Sequence, residues 1–240
     1  MNPFAEGLAT AVMLLGAAVQ GCVGFGSNLV AAPLLILIDP GFVPAPVIMA
    51  STVLNALVTR REKGAHHWEA MRVPIIAVIP GSLAAAVLVW RAGTSDTLTI
   101  LFGLVILAAV ALTASGLHLR RSRRNLACAG SVSGFMGTAV GIGGPPIALL
   151  FSNATGPEIR GALSRFFLVS AGISLVMLAC FGQVKLEDLW MFLVLLPGTF
   201  VGYAISGWLA QHVDRGHVRI AVLGLSTISA LVAIGRAVLS

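Results

Sequence analysis

The side chains that could hold a ligand are few, neutral and placed beside glycine. Ser27 and Asn28 follow Gly24-Phe25-Gly26 directly, and Ser51 and Asn55 stand four apart in the next apolar run, on one helix face. Ser170 and Ser174 form the corresponding pair after a second glycine-rich stretch, Gly141-Ile142-Gly143-Gly144-Pro145-Pro146. Hydroxyl and amide groups donate hydrogen bonds to an anion's oxygens without carrying charge. Glycine lets a ligand approach the backbone, and a helix restarting after a break aims unpaired N–H groups and its positive dipole end at the gap. Gly24, Gly26, Ser27, Asn28, Ser51, Asn55, Gly141, Gly143, Gly144, Pro145 and Ser170 are therefore the candidate substrate-binding residues, and a small anion is the ligand they suit. Without a ligand, such glycines serve close helix packing, and such hydroxyls bond a neighbouring helix or the i−4 carbonyl. Two matched breaks favour the site. Ser164 and Thr138 are weaker candidates, and Arg165 stands near enough to a helix end to snorkel to the interface.

Other chemistries find less support. The acids Glu6, Asp39, Glu62, Glu69, Asp96, Glu158, Glu187, Asp188 and Asp214 and the five histidines lie at or near the ends of apolar runs, so neither a carboxylate proton relay nor a zinc site is expected. Cys22, Cys128 and Cys180 sit inside apolar runs and suggest no disulfide framework; Cys22, close to the first break, reads as a small apolar residue. An intramembrane serine hydrolase needs a nucleophile and a base at one depth. Gly130-Ser131-Val132-Ser133-Gly134 has valine where the nucleophile elbow has serine, and no histidine lies in a span interior. No enzyme, cofactor or metal is expected.

The elements that must position these residues follow from composition. Of 240 residues, 58% are hydrophobic and 10% charged, with a mean hydropathy of +0.97, whereas soluble domains carry about 25% charged residues. So few charges cannot cover a water-facing surface, and the chain reads as an all-α polytopic membrane protein. Its basic residues end apolar runs, which makes nucleic acid a poor partner for the net charge of +6. Met1 to Leu15 has no basic start, so a cleaved signal peptide is not expected. Apolar runs cover residues 4–38, 43–59, 73–90, 97–117, 126–152, 161–181, 189–209 and 217–238. Six fit single transmembrane helices. The first and fifth would be roughly 52 and 40 Å long as continuous helices, against about 30 Å of hydrocarbon, and both contain the glycine breaks; they read as broken or re-entrant hairpins.

The breaks also mark a repeat. Gly24 and Gly141 are 117 positions apart, as are Pro80-Gly81-Ser82 and Pro197-Gly198-Thr199. Trp68 and Trp90 flank the third run as Trp190 and Trp208 flank the seventh. Residues 1–119 and 125–240, joined by a basic cytoplasmic linker at 120–124, are expected to be two repeats of a hairpin plus three transmembrane helices. If both hairpins re-enter, Arg60, Arg61, Lys63, Arg72, Arg120, Arg121, Arg123, Arg124, Arg160, Arg165, Arg215 and Arg219 share one side and only Arg91, Lys185 and Arg236 the other; twelve against three is a better split than the ten against five of eight crossings. That arrangement inverts the second repeat and puts both termini outside the cytoplasm.

At these residues the chain resembles the sulfite exporter TauE/SafE family of membrane anion transporters, over almost its full length. The resemblance rests on the two breaks, on Pro44-Ala45-Pro46 followed by Ser51-Thr52, on Arg60-Arg61-Glu62-Lys63-Gly64 running to Trp68, and on Gly156-Pro157-Glu158-Ile159-Arg160 with Pro197-Gly198-Thr199 in the second half. Ser27-Asn28, where a further glycine is usual, and Arg165, where a small residue is, depart from the pattern. The resemblance implies passage of sulfite, sulfoacetate or related organosulfur and organic anions; a midplane site formed by the two breaks suits alternating access across a cell inner membrane, with an anion channel sharing the same site as the alternative. The partners expected are the anionic substrate and membrane lipid, with a homodimer as a compatible assembly.

Overall fold

The computed structural model describes residues 2–62, 68–92, 95–151, 157–212 and 215–239; Lys63 and Gly64 of the basic loop, His66, His67, Gly156 and Asp214 lie outside them. The fold is all helical: α1 (Pro3–Val23), α2 (Ser27–Ile38), a single 3-10 turn (Pro40–Phe42), α3 (Ala45–Arg61), α4 (Trp68–Ala92), α5 (Ser95–Ala114), α6 (Arg123–Val140), α7 (Gly144–Leu150), α8 (Pro157–Cys180), α9 (Leu186–His212) and α10 (Arg215–Leu239). No strand occurs among the described residues.

Five stretches are long and apolar enough to cross a bilayer: Pro3–Cys22, Met71–Ala92, Thr97–Ala114, Gly161–Cys180 and Leu186–Leu209, with Val222–Val238 a shorter apolar helix. Two elements differ from the sequence reading. The run at 43–59 becomes α3, whose 17 residues measure about 26 Å, short of a full span. It is only weakly apolar because Arg60 and Arg61 close it and Ser51, Thr52, Asn55 and Thr59 belong to it; Ser51 and Asn55 are buried. The first run breaks at its glycines, as the sequence reads, but α1 alone has 21 residues, already a span's length.

Lipid is as apolar as leucine, so helices in a bilayer associate through close packing and interhelical hydrogen bonds. Both operate here, in two helix pairs. Along α1 and α9, Thr10 Oγ1 donates to the Val194 oxygen at 2.7 Å, and Cys22 Sγ to the Ser206 oxygen at 3.6 Å. Along α4 and α6, Ser131 Oγ donates to the Ala77 oxygen at 2.9 Å, and Ser82 Oγ to the Gly134 oxygen at 3.3 Å. In each pair the partners advance together, so α1 runs parallel to α9 and α4 parallel to α6. A Cβ at Gly198 would overlap the Thr10 oxygen and one at Gly81 the Ser131 oxygen; only hydrogen fits at either position. α3 runs parallel to α9 as well, with Tyr203 donating to the Leu57 oxygen at 3.3 Å and Arg61 Nη1 to Ser206 Oγ at 3.0 Å. Ile76, Phe200, Ile228 and Leu231 point outward, as do Trp90, Trp190 and Trp208.

Both broken segments double back. α1 ends at Gly24 (φ 97°), whose N–H bonds the Gln20 oxygen, and Gly26 (φ 103°) starts the reversal; these left-handed angles favour glycine. α2 then returns along α1, with Gly16 closely packed against Ser27 and Ala31. α6 ends at Gly141 (φ 76°), and α7 returns beside it. Its far end meets the segment before α6: Leu119 N–H donates to the Leu149 oxygen at 3.2 Å, Arg121 Nε to the Leu150 oxygen at 2.9 Å, and the Arg121 guanidinium lies 4.3 Å from the Phe151 ring centre.

Candidate functional site

The two hairpin turns meet. Asn28 Nδ2 donates to the Gly141 oxygen at 2.8 Å, and Gly144 packs against the Phe25 ring. Around this meeting point lies a cavity of about 50 Å³. One water needs about 10–15 Å³ measured this way, so the cavity has room for roughly four waters, or for a small anion.

All the candidate residues except Gly24 line it. Gly26, Ser27 and Asn28 come from the first turn, Gly141, Gly143, Gly144 and Pro145 from the second, Ser51 and Asn55 from the middle of α3, and Ser170, with Ser174, from the middle of α8. Gly24 instead terminates α1. Thr138 stands behind the wall, donating to Ser174 Oγ at 2.8 Å, and Ser164 is buried elsewhere with its hydroxyl unpaired. Arg165, half-buried, is not in the lining. Among the described residues, no Lys, Arg, His, Asp or Glu is. No group of three or more His, Cys, Asp or Glu that could hold a metal occurs among the described residues.

The hydrogen bonds within the site are uneven. Gln20, on the last turn of α1, joins three elements: its Oε1 accepts from the Ser27 hydroxyl and, at 3.4 Å, from the Ser27 N–H, while its Nε2 donates to Asn55 Oδ1 at 2.8 Å. Asn55 Nδ2 donates to the Ser51 oxygen at 2.8 Å and Ser51 Oγ to the Ile48 oxygen at 3.0 Å. On α3 the Ser51 hydroxyl and one of the two Asn55 amide N–H groups are thus engaged with protein. The helix ends contribute less than two bare dipoles would. Gln20 takes the first amide of α2, leaving those of Asn28 and Leu29, and α7 opens Gly144-Pro145-Pro146, where the two prolines have no N–H. Ser133 Oγ holds the second turn by donating to the Gly143 oxygen at 2.5 Å.

Compared with protein families, residues 8–233 match the one described as Sulfite exporter TauE/SafE. The chain belongs to the sulfite exporter TauE/SafE family. Membership in TauE/SafE implies a membrane anion exporter, and the apolar helices accord with a multi-pass membrane protein. No curated protein and no solved structure matches the chain.

Within this TauE/SafE chain the cavity includes residues that the sequence reading passed over: Gln20, Phe25, Gly137 and Phe167. Gln20 had a signal, an isolated amide in an apolar run one turn before the break. Gln20 and Gly137 are also 117 positions apart, the spacing of the two breaks, so the first half places an amide where the second leaves open backbone. Phe25 and Phe167 carried no such mark.

Proposed function

We propose that this protein transports small organosulfur or organic anions, sulfite and sulfoacetate foremost, across the cell inner membrane by alternating access around a central site to which each hairpin contributes half. The observation that carries the reading is the cavity between the two turns, lined from both hairpins and from α3 and α8 with no ionisable side chain among the described residues. Neutral donors hold an anion moderately, which suits a carrier that must release it.

Residues 1–119 and 125–240, joined by 120–124, are read as two inverted repeats. A shift of 117 residues takes α1 to α6 and α4 to α9, so the α1–α9 and α6–α4 pairs exchange under it, and the parallel run of both pairs supports the assignment. On this reading the basic loops face the cytoplasm and both termini face away from it. A reporter fused at Ser240 should be active only outside the cytoplasm. Lipid surrounds the outward Ile76, Phe200 and Ile228, and a homodimer is compatible with that surface.

The function is tested by uptake of labelled sulfite into proteoliposomes. Saturable, protein-dependent flux supports it. Flux no greater than that of empty liposomes, from protein that remains folded, refutes it. Ser51→Ala with Asn55→Ala should lower the flux by disturbing the wall of the site.

A further inference from the structure

We propose that Gly137 sets how large an anion the cavity takes, the ligand passing over its bare Cα; this rests on the anion-transport reading above. Gly137 belongs to the last turn of α6 and lines the cavity beside the second hairpin turn. A glycine within a helix is less stable than an alanine there. Three needs account for one: a left-handed backbone angle, a close neighbour, or open space.

The first two are absent at Gly137. The left-handed glycines among the described residues are Gly24, Gly26, Gly116, Gly141 and Gly182, and Gly137 keeps an ordinary helical backbone. Close packing explains buried glycines elsewhere: a Cβ at Gly16, Gly81, Gly130, Gly134, Gly198 or Gly202 would overlap a backbone oxygen of the facing helix. Gly137 is buried as they are, yet the atoms nearest to a Cβ there are the Gly143 Cα at 3.6 Å and the Gly143 nitrogen at 3.7 Å, ordinary contact distances. A methyl group would stand in space that the protein leaves open, and that space is the cavity.

The other hairpin shows that this turn of helix does not itself demand glycine. Gln20 holds the same place at the end of α1: its carbonyl accepts from the Gly24 N–H at 2.7 Å, as the Gly137 carbonyl accepts from the Gly141 N–H at 2.9 Å. Gly24 and Gly141 are the left-handed residues that end the two helices. On α1 a long side chain occupies the room beside the turn and bonds Ser27 and Asn55; on α6 the corresponding room is left to the ligand. The cavity of about 50 Å³ holds roughly four waters. Sulfite fits within that volume, whereas sulfoacetate, longer by a carboxymethyl group, needs the space over Gly137 as well. Because nonbonded atoms keep about 3.5–4.0 Å apart, a methyl group at this position withdraws more room than its own volume, and the larger anion loses most.

The test compares the natural protein with Gly137→Ala, following uptake of labelled sulfite and labelled sulfoacetate into proteoliposomes and recording the unfolding temperature of each protein in detergent. With room for the methyl group and alanine the better helix former, the unfolding temperature is expected to hold or rise. Flux is expected to fall, about tenfold further for sulfoacetate than for sulfite. Gly134→Ala, one turn earlier and against the Val78 oxygen, is the contrasting variant and should unfold at a lower temperature. A lowered unfolding temperature in Gly137→Ala would mean that protein already fills the space and would overturn the proposal, as would flux that is unchanged or falls equally for the two anions. If the natural protein carries one anion alone, loss of that flux in Gly137→Ala supports the proposal and its persistence overturns it. A folded natural protein that carries neither overturns the transport reading, and this inference with it.

Discussion

The Asn28 side chain donates to the Gly141 backbone oxygen at 2.8 Å, so one side chain of the first hairpin closes the exposed helix end of the second. Any movement of one hairpin past the other breaks this bond or carries it along. Asn28→Ala leaves the Gly141 oxygen without that donor and should cost about 1 kcal/mol, read as a lower unfolding temperature in detergent. If the bond stabilises one access state, the variant also changes the ratio of inward to outward flux in oriented proteoliposomes.

Gln20→Ala removes the partner of Ser27 and of Asn55 in a single change. Because both partners are buried, the expected loss is about 1–3 kcal/mol, larger than for Asn28→Ala. Chemical denaturation of the two variants side by side checks the order. Gln20→Asn, one methylene shorter, should recover little.

Ser170→Ala deletes a hydroxyl that has no hydrogen-bond partner among the described residues, so its stability should stay within about 0.5 kcal/mol of the natural protein. Sulfite flux should nonetheless fall severalfold. Unchanged flux, with the unfolding temperature also unchanged, would remove Ser170 from the site.

Gly198→Ala and Gly81→Ala each place a methyl group where a backbone oxygen already lies, and each should destabilise by about 1–3 kcal/mol. Gly224→Ala, on α10 with nothing within 4 Å of the new carbon, should instead stabilise by about 0.5–1 kcal/mol through helix propensity. Opposite signs for the same chemical change can be read from three melting curves.

The parts of this architecture legible in the sequence are those that depend on one residue's own backbone. Gly24, Gly26 and Gly141 mark the reversals because left-handed angles favour glycine at the residue itself. Helix existence followed from apolar length in the same local way. Asn55 was legible as a buried donor, but not its engagement with Ser51 and Gln20, because a bond across elements depends on how those elements dock. α3 shows the same limit: its polar residues depress its apolarity, and only the packed structure reveals that they face other helices. Gln20 was visible as an oddity, yet nothing within α1 says that it reaches α3.

Thr10 meets its hydrogen-bond partner Val194 across 184 positions. α1 thus keeps its glycine-accepting face and the Thr10 hydroxyl without their α9 partners until α9 has been made. During synthesis that face is exposed to lipid, and contacts so distant in sequence form late. Neither half can complete its own hairpin's packing, so the two halves produced separately should each be poorly folded and should recover when co-expressed. Truncation before α9 removes more than its own residues: it leaves α1 without the surface that completes it.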